Sequence, residues 1–277
     1  MSIAIVGNPI TFEAHHYSVE QSLRTMAQLG YDQVELCHSQ IRDFNTPELR
    51  GQLVEFIRSL GMEFVGSNVP NSDYFQALSS REDIAGVLRG LKGDVNIAEQ
   101  LGARYLLTWE GRKPEGASRQ DVFGWILEAT VEIFREITVY AAEKGMEIYL
   151  EIHPFTLGID LEFAVQLCDG VGADTLGIAY DSCHFGVGLP DSYIEAVHTL
   201  GSRIKHVHFS DSDKQSSELH FAIGKGCLDL EGILGALRQI DFRGRWMLDL
   251  YKYPLPEEAV RTGMPYMREA LKCFPAD

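Results

Sequence analysis

No stretch of this chain is apolar for long enough to cross a bilayer. The opening MSIAIVGNPITFEAHH has no basic segment ahead of an apolar core, so no signal peptide is expected, and SIAIVG reads as a first strand. Cysteine is sparse. Cys37, Cys168, Cys183, Cys227 and Cys273 are odd in number, scattered and without metal-type pairing, which argues for reduced thiols and a cytoplasmic location rather than a disulfide framework. Cys183 has no evident activating base and reads as a packed thiol, not a nucleophile. Basic runs are missing too. With 24 Lys and Arg against 40 Asp and Glu, the formal charge of −16 is a poor basis for the phosphate neutralisation that drives nucleic-acid binding. Low-complexity tracts, linkers and strict repeats are equally absent.

What is present is alternation. Strand patterns begin near Ile3, Gln33, Met62, Arg104, Glu147, Leu176, Arg203 and Arg245, and helical stripes lie between them. Val19, Leu23, Met26 and Leu29 form one stripe, and Leu88, Leu91, Val95 and Ala98 a second. Val122, Ile126, Ile133 and Ile137 form a third, and Val260, Met264, Met267 and Leu271 a fourth. Ser18 with Gln21, Ser80 with Asp83, and Thr46 before Pro47 mark helix starts. Gly30, Gly61, Gly102, Gly145 and Gly201 each end a helical pattern and are expected to be left-handed caps. The expected fold is α/β, a single (β/α)8 barrel domain over residues 1–277, with an open doubly wound sheet as the alternative. The longer, more polar connections follow strands one, three and seven (NPITFEAHHY, NVPNSDYFQALSS and SDSDKQSSELHFAIGKG), which places the working face at the strands' C-terminal ends.

Four residues end successive strand-like runs on that face: Glu151 in MEIYLE, Asp181 in TLGIAYD, His208 in IKHVHF and Asp249 in WMLDLY. Any one is an ordinary strand-end polar residue. Together, three carboxylates and an imidazole make a sensible shell for one divalent cation that also takes oxygen ligands from a substrate. Mn2+ is the first choice, with Mg2+, Co2+ and Zn2+ as alternatives. His184 follows Asp181 by three residues, on a turn able to return it to the same centre. His206 shares a strand face with His208 and should be a buried histidine one layer lower. His153, after Glu151, and Trp109, at the end of strand four, are weaker substrate-binding candidates. For Glu35 and Glu110, which also end strands, a place behind the site or at its rim is preferred. Gly224-Lys225-Gly226 is a weak phosphate signal without accompanying cations, so the substrate is expected to be unphosphorylated.

With GYDQVELC at 30–37 and GKGCLDLEGIL near Gly224–Leu234, the segments E-x-H-P, D-x-x-H and H-x-H-F-S-D resemble the xylose isomerase-like TIM barrel family over nearly the whole chain. That family includes sugar phosphate isomerases and epimerases, ketose 3-epimerases and inosose dehydratases, with endonuclease IV among its relatives. The resemblance implies metal ligands at Glu151, Asp181, His208 and Asp249, and substrate contacts at His184 and His220. Two departures stand out. Ketose epimerases of the family carry glutamate where this chain has Asp249, which shortens the reach of a second acid/base. Endonuclease IV builds a three-zinc cluster with extra histidines where this chain has Asn68 and Trp109.

The leading expectation is a divalent-metal-dependent isomerase or epimerase acting on a keto-sugar or related polyol. Glu151 would be ligand and base, Asp249 ligand and second acid/base, and the chemistry proton abstraction to a metal-bound enediolate. A lyase of the inosose- or dehydroshikimate-dehydratase type on the same barrel is the alternative, and a non-catalytic ligand-binding barrel a third. The expected partner is a small sugar or polyol, with no nucleic acid and no membrane. Self-association as a homo-oligomer stays open.

Overall fold

A computed structural model describes residues 3–69 and 80–275. Eight strands close a parallel barrel in sequence order: β1 (Ile5–Gly7), β2 (Gln33–Cys37), β3 (Glu63–Val69), β4 (Tyr105–Thr108), β5 (Glu147–Glu151), β6 (Leu176–Asp181), β7 (Ile204–Phe209) and β8 (Arg245–Leu248). Each begins within two residues of the position expected from the pattern. β1 pairs with both β2 and β8, which excludes the open sheet. The outer ring is α1 (Val19–Leu29), α2 (Pro47–Ser59), α3 (Ile84–Leu101), α4 (Leu127–Ala142), α5 (Leu161–Val171), α6 (Tyr193–Leu200), α7 (Leu230–Gln239) and α8 (Pro256–Ala270).

Local chemistry accounts for these boundaries. Ser18 and Gln21 form a reciprocal capping box, with Gln21 N–H donating to Ser18 Oγ at 3.2 Å and Ser18 N–H to Gln21 Oε1 at 2.9 Å. Thr46 Oγ1 caps α2 ahead of Pro47. Gly30 and Gly102 adopt the left-handed conformation that ends α1 and α3. Gly201 does not: its φ of 54° comes with ψ of −132°, and a 3₁₀ turn leads into β7. The stripe from Val122 to Ile137 is buried throughout. Its first part, Val122–Ile126, is a π turn at Gly124 ahead of α4, so its regular periodicity hid an extra residue. Of the connection after β3, residues 70–79 lie outside the described residues.

The barrel interior is filled from below by Val6, Val65, Tyr105, Leu107, Tyr149, Ala179 and Met247. Tyr105 and Tyr149 stack with ring centroids 4.8 Å apart. Tyr105 fits only because β3 has Gly66 beside it, where any Cβ would land on the phenol ring. This aromatic floor supports a polar layer above it.

Candidate metal centre and substrate cavity

Glu151 and Asp181 are the last residues of β5 and β6, His208 is the penultimate residue of β7, and Asp249 directly follows β8. Parallel register sets Asp181 beside His208. All four are buried, and they meet at one atom. His208 Nδ1 lies 2.9 Å from Glu151 Oε1, 3.5 Å from Asp249 Oδ2 and 3.6 Å from Asp181 Oδ2.

Three more histidines surround this centre. His220 Nδ1 is 3.3 Å from Asp249 Oδ2, and its Nε2 is 3.3 Å from His184 Nε2. His184 returns to the centre because Asp181 caps the short helix Ser182–Gly188, accepting from the His184 backbone N–H at 2.9 Å. His153 Nε2 lies 3.2 Å from Glu151 Oε2, and Trp109 Nε1–H donates to the same oxygen at 3.3 Å. His153 and His184 rings pack with centroids 3.7 Å apart.

Burial and charge compete here. Burial pushes the Glu151 carboxyl up, but the adjacent His153 and His208 imidazoles prevail and hold it well below the usual carboxylate range. For Asp181 burial is likewise overcome, by His184, His220 and His208. Burial disfavours charge on His208, yet Asp181 and Glu151 raise it well above its ordinary value. Asp249 and Asp181 raise His220 to about 9 against the same burial. In His184 burial wins, pushing it down to about 3.

The centre fits a cation. Among the described residues, Asp181 Oδ2 and both His208 ring nitrogens have no well-aligned hydrogen-bond partner, the 2.9 Å approach to Glu151 included. Buried polar atoms are seldom left so. Carboxylate oxygens and one imidazole nitrogen converging from four strands form a donor set suited to a divalent ion, and Glu151, Asp181 and His208 present ligand atoms within 4.8 Å of one another.

A cavity of about 180 Å³ adjoins the centre. Trp109, His153, His184 and His220 line it on the side of the carboxylates, and Asn8, Glu35 and Asn68 on the arc formed by β1 to β3. No Lys or Arg lines it among the described residues.

The model of the xylose isomerase-like TIM barrel family matches residues 23–270. The chain belongs to that family. An inosose dehydratase of Geobacillus kaustophilus is 23% identical over 89% of this chain and 84% of its own length. A fructoselysine 3-epimerase of Shigella flexneri is 23% identical over 93% and 92%. Among solved structures, an IOLI protein with a binding zinc atom superposes with a TM-score of 0.79 at 20% identity, covering all of both chains.

Other family-derived and sequence-derived expectations fare unevenly. His206 lies fully buried below His208, edge-on to it at 4.6 Å and packed against Tyr105 and Tyr149. Cys183 is buried, and burial pushes its thiol far up. Neither Glu35 nor Glu110 is at the rim. Glu110 is buried and accepts from the Gly158 backbone N–H at 2.6 Å, and burial pushes it up to about 7. In Gly224-Lys225-Gly226 two backbone donors are already used: Gly226 N–H goes to Asp211 Oδ2 at 2.8 Å and Lys225 N–H to Ala222 O at 2.9 Å. Sequence reasoning passed over Asn8 and the cavity role of Asn68, although both sit at C-terminal strand ends, the signal that singled out Glu151.

Proposed function

We propose that the protein is a divalent-metal-dependent isomerase or epimerase of an unphosphorylated keto-sugar or related polyol. The observation that carries this reading is the convergence of three carboxylates from β5, β6 and β8 on His208 Nδ1, beside a cavity lined by further histidines. Its relatives include proteins named inosose isomerase and fructoselysine 3-epimerase, its structural neighbours include a D-psicose 3-epimerase, and one neighbour is described with zinc. Glu151, Asp181, His208 and Asp249 would hold the ion, with Mn2+ the first candidate. Bound there, a divalent cation supplies Lewis acidity to a carbonyl oxygen and its neighbouring hydroxyl.

The side chains perform the proton transfers. Glu151, held ionised by His153 and His208, accepts the proton from the carbon beside the carbonyl. Its Oε2 is fixed by Trp109 and His153, so the base needs little reorientation. Neutral His184 orients a substrate oxygen. Asp249, 3.3 Å from His220 Nδ1 and 3.5 Å from His208 Nδ1, would serve as second acid/base. Returning the proton to the opposite face of the same carbon is epimerisation, and to its neighbour isomerisation.

A second reading is favoured by the inosose dehydratase relative: expulsion of a β-hydroxyl, with His220 as the acid that protonates it. Proton NMR of an inosose and of simple ketoses in deuterated water separates the two. The isomerase or epimerase reading predicts exchange with rearrangement, and a new vinylic product would replace it with the lyase.

A further inference from the structure

We infer that Asn8, Glu35 and Asn68, on the β1–β3 arc of the cavity, form an acceptor-rich subsite that reads hydroxyl groups of a polyol substrate. The inference deepens the proposed function and rests on it. Asn8 is locked by its own loop: its Oδ1 accepts from the Ile10 backbone N–H at 3.0 Å, which turns Nδ2 towards Glu35 Oε1 at 3.3 Å. Asn68 Nδ2 donates to the same oxygen at 3.2 Å. Tyr105 O–H donates to the other, Oε2, at 2.8 Å.

Asn8 Nδ2 divides its two hydrogens between Glu35 Oε1 and Cys37 Sγ, the latter at 3.4 Å, and Asn68 Nδ2 keeps one hydrogen beyond its bond to Glu35. Acceptors remain. A carboxylate has roughly four lone-pair positions, of which three are taken here. Asn68 Oδ1 is buried without a partner among the described residues, in a side chain that is 91% buried and lines the cavity. Flipping the amide would set Oδ1 against the Glu35 carboxylate, so the orientation is fixed. An unpaired buried carbonyl is destabilising, and a ligand that donates a hydrogen removes that penalty. Phosphate and carboxylate groups have no hydrogen to offer at neutral pH and would meet Glu35, Glu151 and Asp249 across the same cavity with no Lys or Arg among its described lining residues. A neutral polyol is the chemistry that fits. A protonated amine would suit the same acceptors, and the test includes one.

The experiment uses manganese-loaded full chain with 2-keto-myo-inositol, its deoxy analogues, its phosphate ester and an amino-substituted analogue. Steady-state turnover gives KM and kcat, and calorimetry gives Kd where turnover is absent. Wild type is compared with Asn68→Leu, and metal content and C–H exchange are read on the same samples. The subsite predicts that at least one deoxy analogue binds wild type about tenfold more weakly than the parent, as expected for one lost hydrogen bond. Asn68→Leu should raise KM about tenfold for the parent with kcat within about twofold, and should no longer distinguish parent from that analogue. The phosphate ester should not compete. Equal binding of parent and all deoxy analogues by wild type overturns the subsite without relying on any variant. So does an unchanged KM in Asn68→Leu, or tighter binding of the phosphate ester or the amine. Metal-dependent exchange without any of the Asn68 effects sinks the subsite alone. Asn68-dependent binding without metal or exchange sinks the catalytic reading alone, and absence of binding by every probe overturns both.

Discussion

His208 is where three strands' worth of negative charge is balanced, since Glu151, Asp181 and Asp249 all approach its Nδ1. In the metal-free protein these carboxylates favour the protonated forms of His208 and His220. Binding a divalent ion at His208 must displace a proton, so metal affinity should fall as pH is lowered. Glu151→Gln should reduce C–H exchange at least about 100-fold, the usual contribution of a general base. Metal binding should weaken only in part, because the amide oxygen still ligates. Exchange by NMR alongside metal analysis checks both, and full exchange in the variant would move the base to Asp249 or His220. At this scale the gathering of the acids and His208 was legible because four successive strand ends carried such residues, where any one alone is ordinary. Asn8 and Asn68 were not, because an amide's meaning depends on which end faces a partner, and only the Ile10 and Glu35 contacts decide that.

Between residues and the whole, the barrel strands carry the site on an aromatic floor. Gly66 makes that floor possible by admitting Tyr105, whose hydroxyl also steadies Glu35. Gly66→Ala should therefore cost about 1–3 kcal/mol, as overpacking of a fitted core does. A denaturant melt measures it, and an unshifted midpoint would show that the ring moves freely. The elements themselves were easy to read from sequence where local chemistry repeats: alternating strands, capping boxes at Ser18 and Ser80, and glycine after α1 and α3. Reading failed where geometry depends on more than spacing. The π turn at Gly124 leaves the apolar stripe intact, and Gly201 has a positive φ without the left-handed cap. In the Gly224–Gly226 turn the sequence showed donors but not that Asp211 had claimed one of them.

Across the whole molecule, stability should be linked to metal and pH together. Metal at about 100 times its Kd should add about 2.7 kcal/mol, so chelation should lower Tm. His220 has a folded value of about 9, above its ordinary value near 6.5. Its contribution to the metal-free protein is complete below about pH 6.5 and is lost as pH rises through about 9. Glu151 and Asp181 have depressed values, so their contribution is present above about pH 4 and is lost on further acidification. Metal-free Tm should accordingly fall between pH 7 and pH 9.5, and a flat or rising profile there would refute the pairing of His220 with Asp249 and Asp181. The central claim is metal-dependent proton abstraction from a keto-polyol. The most direct measurement is deuterium incorporation beside the carbonyl of an inosose and of simple ketoses in deuterated water, by metal-loaded and by chelated protein. Incorporation by the loaded protein, falling to background on chelation and returning with added metal, is the predicted result. No incorporation into any of these compounds, or equal incorporation with and without metal, would contradict it.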